Sequence, residues 1–122
     1  MADATWDTID GIVDWLDRES PAPEETARMM RILKLQEEVG EAAQAVIGAV
    51  GYNPRKGQSH TWDDVEKELC DVILTAMVAL RTITPEAGKI FAHHLERVGA
   101  RSVGRAETQH AHESDDAPAV AK

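Results

Sequence analysis

Apolar residues recur at three- and four-residue intervals along most of the chain, and this pattern predicts four helices. Trp6, Ile9, Val13 and Leu16 form one stripe over residues 6–18. The run Ser20-Pro21-Ala22-Pro23 breaks it. A second helix is predicted to begin after Pro23 and to run to about Val50, with Glu24 and Glu25 in its first turn, where acids suit the helix dipole. Its inner face is assigned to Ile32, Leu35, Val39, Ala42, Ala43, Val46 and Ile47.

A polar loop with Gly and Pro follows over residues 51–60. Thr61 is the expected N-cap of a third helix running to about Thr82, with Asp63 and Asp64 in its opening turn. Val65, Leu69, Val72, Ile73, Ala76 and Leu80 are its expected inner positions. Thr84-Pro85 is read as the start of the fourth helix, since proline is tolerated at the first helical position. Ile90, Phe91, Leu95 and Val98 give that helix an apolar side, which fades between Gly99 and Gly104. Residues 1–105 are thus expected to form one all-α bundle of about four helices. Residues 106–122 carry no apolar period and are expected to be a disordered acidic tail.

Composition narrows the class. The chain has 122 residues, enough for one domain, and only three Trp, one Tyr and one Phe. Its net charge is −9, with Glu107, Glu113, Asp115 and Asp116 against Lys122 in the tail. Such a balance argues against a nucleic-acid polymer or an anionic membrane as partner, because both require a basic face. The single cysteine, Cys70, allows no internal disulfide, and a reducing cytoplasm is the expected location. The opening MADATWDTID has no basic segment followed by an apolar run, so neither a secretion signal nor a membrane span is expected.

Acids interrupt the apolar helices in mid-stretch. Glu37, Glu38 and Glu41 fall in one sector of the second helix at about 100° per residue. Glu68 and Asp71 stand one turn apart on the third, among Val65, Leu69, Val72 and Ile73. Either pair of spacings alone is common surface decoration. Together, on consecutive helices, they would gather five negative charges at a partly buried site, which is costly without a cation. Hard Mg²⁺ prefers such oxygen ligands, and two ions about 3.5–4 Å apart could grip a phosphate chain.

The motifs Lys34-Leu35-Gln36-Glu37-Glu38-Val39-Gly40-Glu41 and Glu68-Leu69-Cys70-Asp71-Val72-Ile73 resemble those of the MazG-like all-α NTP pyrophosphohydrolases, a superfamily shared with the dimeric dUTPases. The resemblance spans roughly residues 28–101. It implies Mg²⁺, with Mn²⁺ as a substitute, on Glu38, Glu41, Glu68 and Asp71, and Glu37 orienting or deprotonating the attacking water. It also implies cleavage of the α–β phosphoanhydride of a nucleoside triphosphate to a monophosphate and pyrophosphate, by a homodimer or a dimer of dimers.

Further residues are candidates for substrate contact. Lys34 could reach a phosphate oxygen or pair with Glu38. Arg55 and Lys56, in the loop between the acidic helices, could clamp a triphosphate. Trp62 or His60 could stack on a base, and Tyr52 or Asn53 could contact base or sugar. Arg97, Arg101 and Arg105 form a basic stripe that reads more naturally as a solvated face. Cys70 is expected in the core, and His93, His94, His110 and His112 are not read as ligands.

A di-iron bundle would need two Glu-x-x-His pairs on facing helices, but the sequence offers only Glu107 to His110 in the tail. The remaining alternative is a non-catalytic nucleotide sensor or helical interaction module built on the same fold.

Overall fold

The computed structural model describes residues 2–115, with side chains over residues 4–104. It is all-helical: α1 (Ala2–Glu19), α2 (Glu24–Val50), α3 (Trp62–Ile83) and α4 (Ala87–Asp115). No helix among the described residues is long and apolar enough to cross a membrane. The chain divides into two units between Gly88 and Lys89, a boundary that falls within the 1–105 stretch.

Local chemistry explains the helix ends in the first unit. Pro23 caps α2 with φ −54° and ψ 146°, and Gly51 ends the helix in the left-handed region at φ 66°. That conformation is cheap only for glycine. A capping box starts α3: Thr61 Oγ1 accepts from Asp64 N at 3.3 Å, and Asp64 Oδ2 accepts from Thr61 N at 2.9 Å. The backbone N–H of Thr61 holds the Asp64 carboxyl below the usual range, despite an opposing effect of burial.

Helices α2 and α3 form an antiparallel hairpin. Ala45 and Ala49 pack on Val65 near its closed end. At the other end Arg31 donates to Thr82 Oγ1 at 3.0 Å. The connecting loop folds back on α2, where Ser59 N donates to Gly48 O at 3.1 Å and Gln58 Nε2 to Ala49 O at 3.2 Å. A Cβ on Gly48 would collide with the His60 ring and with Ser59 Oγ, so glycine here permits the close approach.

Helix α1 packs antiparallel on the far half of α3. Ile9, Val13 and Val78 form a buried cluster, with Trp6, Ile12, Leu16 and Met77 packed around it. Arg81 Nε donates to Asp10 Oδ1 at 2.6 Å along the same seam. Thus α3 covers the α1 stripe.

The inner faces of α2 and α3 keep the expected Val65 but otherwise differ from the expected positions. Ala45, Gly48 and Ala49 are buried on α2, and Val65, Val78 and Ala79 on α3. Ile32, Val39, Val46, Ile47, Leu69 and Ile73 are exposed. Both helices are apolar on two sides, and small residues permit the closer helix contact.

The second unit is taken by α4. The helix begins at Ala87, two residues beyond Pro85, after a turn in which Thr84 Oγ1 accepts from Glu86 N at 3.1 Å. It continues through Gly99 and Gly104, where the sequence pattern fades, to Asp115. Surrounding Ala, Arg and Glu are strong helix formers and offset the glycines. Residues 116–122 of the expected tail lie outside the described residues.

Candidate metal centre

The α2/α3 hairpin brings acids from its two strands of helix to one point. Glu38, Glu41 and Glu68 each offer a carboxylate oxygen, and these oxygens all lie within 4.8 Å of one another. The antiparallel packing places Glu68 level with the Glu38–Glu41 turn, one helical turn beyond the Val65 contact. Octahedral Mg²⁺ with ligands at about 2.0–2.1 Å sets opposite oxygens about 4.2 Å apart, so small rotamer changes would fit the three groups to one ion.

Glu41 is exposed, but two observations set Glu38 and Glu68 apart from an ordinary solvated face. The Glu38 side chain is only 14% exposed. Glu68 Oε2 is buried and has no hydrogen-bond partner. An ionised oxygen in that state lacks the compensation that buried carboxylates normally find. Burial raises the Glu38 pKa, and the neighbouring Glu41 and Asp71 charges raise it further, with Lys34 opposing them. A divalent cation would satisfy the orphaned oxygen and remove the repulsion.

Asp71 is exposed and stands outside the three-carboxylate group. It lies one turn beyond Glu68, about 60° further round α3, yet near enough for its charge to act on Glu38. Glu37 is exposed and is not one of the three converging carboxylates. Lys34 Nζ donates to Glu37 Oε2 at 3.0 Å and lies 3.8 Å from Glu38 Oε1. The hydrogen bond to Glu37 chiefly raises the Lys34 pKa, and the charges of Glu37, Glu38 and Glu41 add to it.

The other candidates are dispersed. Arg55 and Lys56 are exposed on the hairpin loop. Trp62 is exposed at the start of α3, about 9 Å along the axis and 120° round from Glu68, so it faces another side of the helix. Tyr52 is exposed, and Asn53 Oδ1 accepts from Arg55 N at 3.0 Å. His60 Nδ1 lies 2.9 Å from Ser59 Oγ, and its ring packs over Gly48. Cys70 is exposed rather than in the core; five residues past Val65, it sits about 140° from the face that α2 covers. On α4, His93, His94, Arg97 and Arg101 are exposed. The side chains of Arg105, His110 and His112 lie outside the described residues.

A cleft of about 510 Å³ opens next to Lys34. Ile12, Leu16, Met30, Leu74 and Val78 give it apolar walls, while Thr75, Arg31 and Lys34 add polar groups. Arg31 is fixed by Asp17 at 2.8 Å and by Thr82. Arg31 is not among the residues singled out by motif, although Arg28, Arg31 and Lys34 form a basic row at three-residue spacing. Compared with protein-family models, curated proteins and solved structures, the chain matches none.

Proposed function

We propose that this protein is a Mg²⁺-dependent nucleoside-triphosphate pyrophosphohydrolase with a MazG-like bundle, acting in a reducing cytoplasm. The observation that carries the reading is the meeting of Glu38, Glu41 and Glu68 from two helices, together with the buried, unpartnered Glu68 Oε2. Glu38, Glu41 and Glu68 would hold the ion, and Asp71 would join them after a side-chain rotation. The bound cation would supply charge neutralisation for a triphosphate and a template for in-line attack at the α-phosphorus.

The chain's own residues account for the other requirements. Lys34 lies between the acids and the apolar cleft, so one ammonium can meet a phosphate oxygen while the nucleoside enters the cleft. Glu37 accepts the proton of the attacking water once Lys34 turns to substrate. Arg31, already oriented by Asp17 and Thr82, provides a fixed cation on the cleft wall.

The test is a pyrophosphate-release screen over common and modified ribo- and deoxyribonucleoside triphosphates with millimolar Mg²⁺. The expected products are a nucleoside monophosphate and pyrophosphate. Release of orthophosphate with a diphosphate, or no turnover of any triphosphate, rejects the reading.

A further inference from the structure

Arg31 combines burial with spare hydrogen-bonding capacity. Its side chain is only 13% exposed. A guanidinium carries five N–H donors and no acceptor. Nη1 donates to Thr82 Oγ1 and Nη2 to Asp17 Oδ1, so two of the five are used and the other three have no partner among the described residues. Those two bonds reach α3 and α1 and hold the guanidinium in one orientation.

The cleft of about 510 Å³ that Arg31 lines is short of acceptors. Asp17 and Glu24 line a neighbouring cleft of about 280 Å³ instead. Among the described residues lining the larger cleft, none is a carboxylate, a side-chain amide or a histidine. Arg31 and Lys34 can only donate, and the hydroxyls of Ser20 and Thr75 can donate or accept. A ligand edge that meets Arg31 must therefore offer acceptors. An exocyclic amine there would set donor against donor in a half-buried place, which is costly. Arg31 stands seven residues before Glu38 on α2, about 10.5 Å along the axis and only about 20° round from it, with Lys34 between. A nucleotide with its phosphates at Lys34 and the acids would extend its sugar along the cleft and bring the far edge of its base to Arg31.

We propose that Arg31 determines base specificity and selects 6-oxopurines (guanine, hypoxanthine or xanthine) over adenine. The proposal rests on the reading above that the nucleoside of a triphosphate enters this cleft. N7 and O6 of a 6-oxopurine are adjacent acceptors that match the fork of a guanidinium, whereas adenine replaces O6 with an amine donor. Uracil offers O4 beside a C–H group, a single acceptor, and uses the fork less well. The cleft lies within the size range of small-molecule sites, and Ile12, Leu16, Met30, Leu74 and Val78 supply apolar walls for the faces of a purine.

The test compares kcat/KM for inosine and adenosine triphosphates, which differ only in O6 against the amine, with Mg²⁺ and the full chain. The wild type should favour inosine triphosphate by about 10–100-fold, the worth of one bidentate arginine contact. Arg31→Lys keeps a cation beside Asp17 but loses the fork, and should bring the ratio close to one. The ratio is taken within one preparation, so a partial loss of folded protein cancels. Equal use of the two substrates, a preference for adenosine triphosphate, or a preference that survives Arg31→Lys overturns the proposal while leaving the pyrophosphohydrolase reading intact. So does a larger gap between uridine and cytidine triphosphates than between the purines. If no triphosphate is turned over, that reading fails, and calorimetric binding of the same two purine nucleotides decides this one. Tighter binding of inosine triphosphate, lost in Arg31→Lys, supports it; equal or undetectable binding overturns it.

Discussion

Lys34 pairs with Glu37 beside the carboxylate cluster: its ammonium donates to Glu37 Oε2 at 3.0 Å and lies 3.8 Å from Glu38 Oε1. The pair is exposed, with side-chain accessibilities of 51% and 58%, so it costs little to break. A triphosphate arriving at Lys34 would compete for the ammonium and release Glu37. On this basis Glu37→Gln should lose about 10²–10⁴-fold in kcat with nearly unchanged Mg²⁺ affinity. Lys34→Met should chiefly raise KM. Steady-state kinetics with a metal titration check both, and full turnover by Glu37→Gln would remove it as the base.

The orphaned Glu68 oxygen gives a second expectation. Without metal, Glu68→Gln should match or exceed the wild type in melting temperature, because it removes a buried charge from a repulsive cluster. With Mg²⁺ the order should reverse. Binding to the folded state alone adds about 2.7 kcal/mol at a ligand concentration of 100 Kd, and the variant should lose most of that gain. Scanning calorimetry in EDTA and in millimolar Mg²⁺ decides it; identical wild-type melting in both solutions would mean that the acids hold no cation.

Acidity separates the metal-free and metal-bound forms. The folded Glu38 carboxyl titrates above its unfolded value, through burial and then through Glu41 and Asp71. Between those two values the folded chain binds the extra proton, so this contribution to stability grows as pH falls and is lost as pH rises through the folded value. Mg²⁺ competes with that proton, so its affinity should fall as pH falls through the same window. Calorimetric titration of Mg²⁺ from neutrality down to about pH 5, set beside Glu38→Gln, checks the sign. Affinity that improves on acidification would contradict it.

Gly48 makes a purely structural prediction. Its missing Cβ is the space taken by His60 and Ser59, whose loop joins the two acid-bearing helices. Gly48→Ala should destabilise the hairpin by about 1–3 kcal/mol, as overpacking does. It should also weaken Mg²⁺ binding, because the loop helps fix the register that aligns Glu68 with Glu41. Denaturant melts and a metal titration of the variant measure the two effects, whereas Gly57→Ala would test only the strain of a φ of 62° in the same loop.

The sequence by itself determined the helices and where along them the acids fall. Proline and glycine fix breaks whose cost is local, and Thr61 with Asp64 forms a cap within one turn, so these ends need no tertiary partner to be read. Glu38 and Glu41 share a sector because helix geometry alone sets their spacing. What the sequence could not decide was which of two apolar sides on α2 and α3 faces inward. Periodicity marks both sides, but only packing shows that Ala45, Ala49 and Val65 make the close contact while Val39 and Ile73 stay outside. That choice sets the rotation of each helix about its axis. The rotation brings Glu68 to Glu38 and Glu41, leaves Asp71 at the edge, and turns Trp62 away from the acids. Such long-range rotation depends on complementary volumes across residues distant in the chain, and no local pattern encodes it.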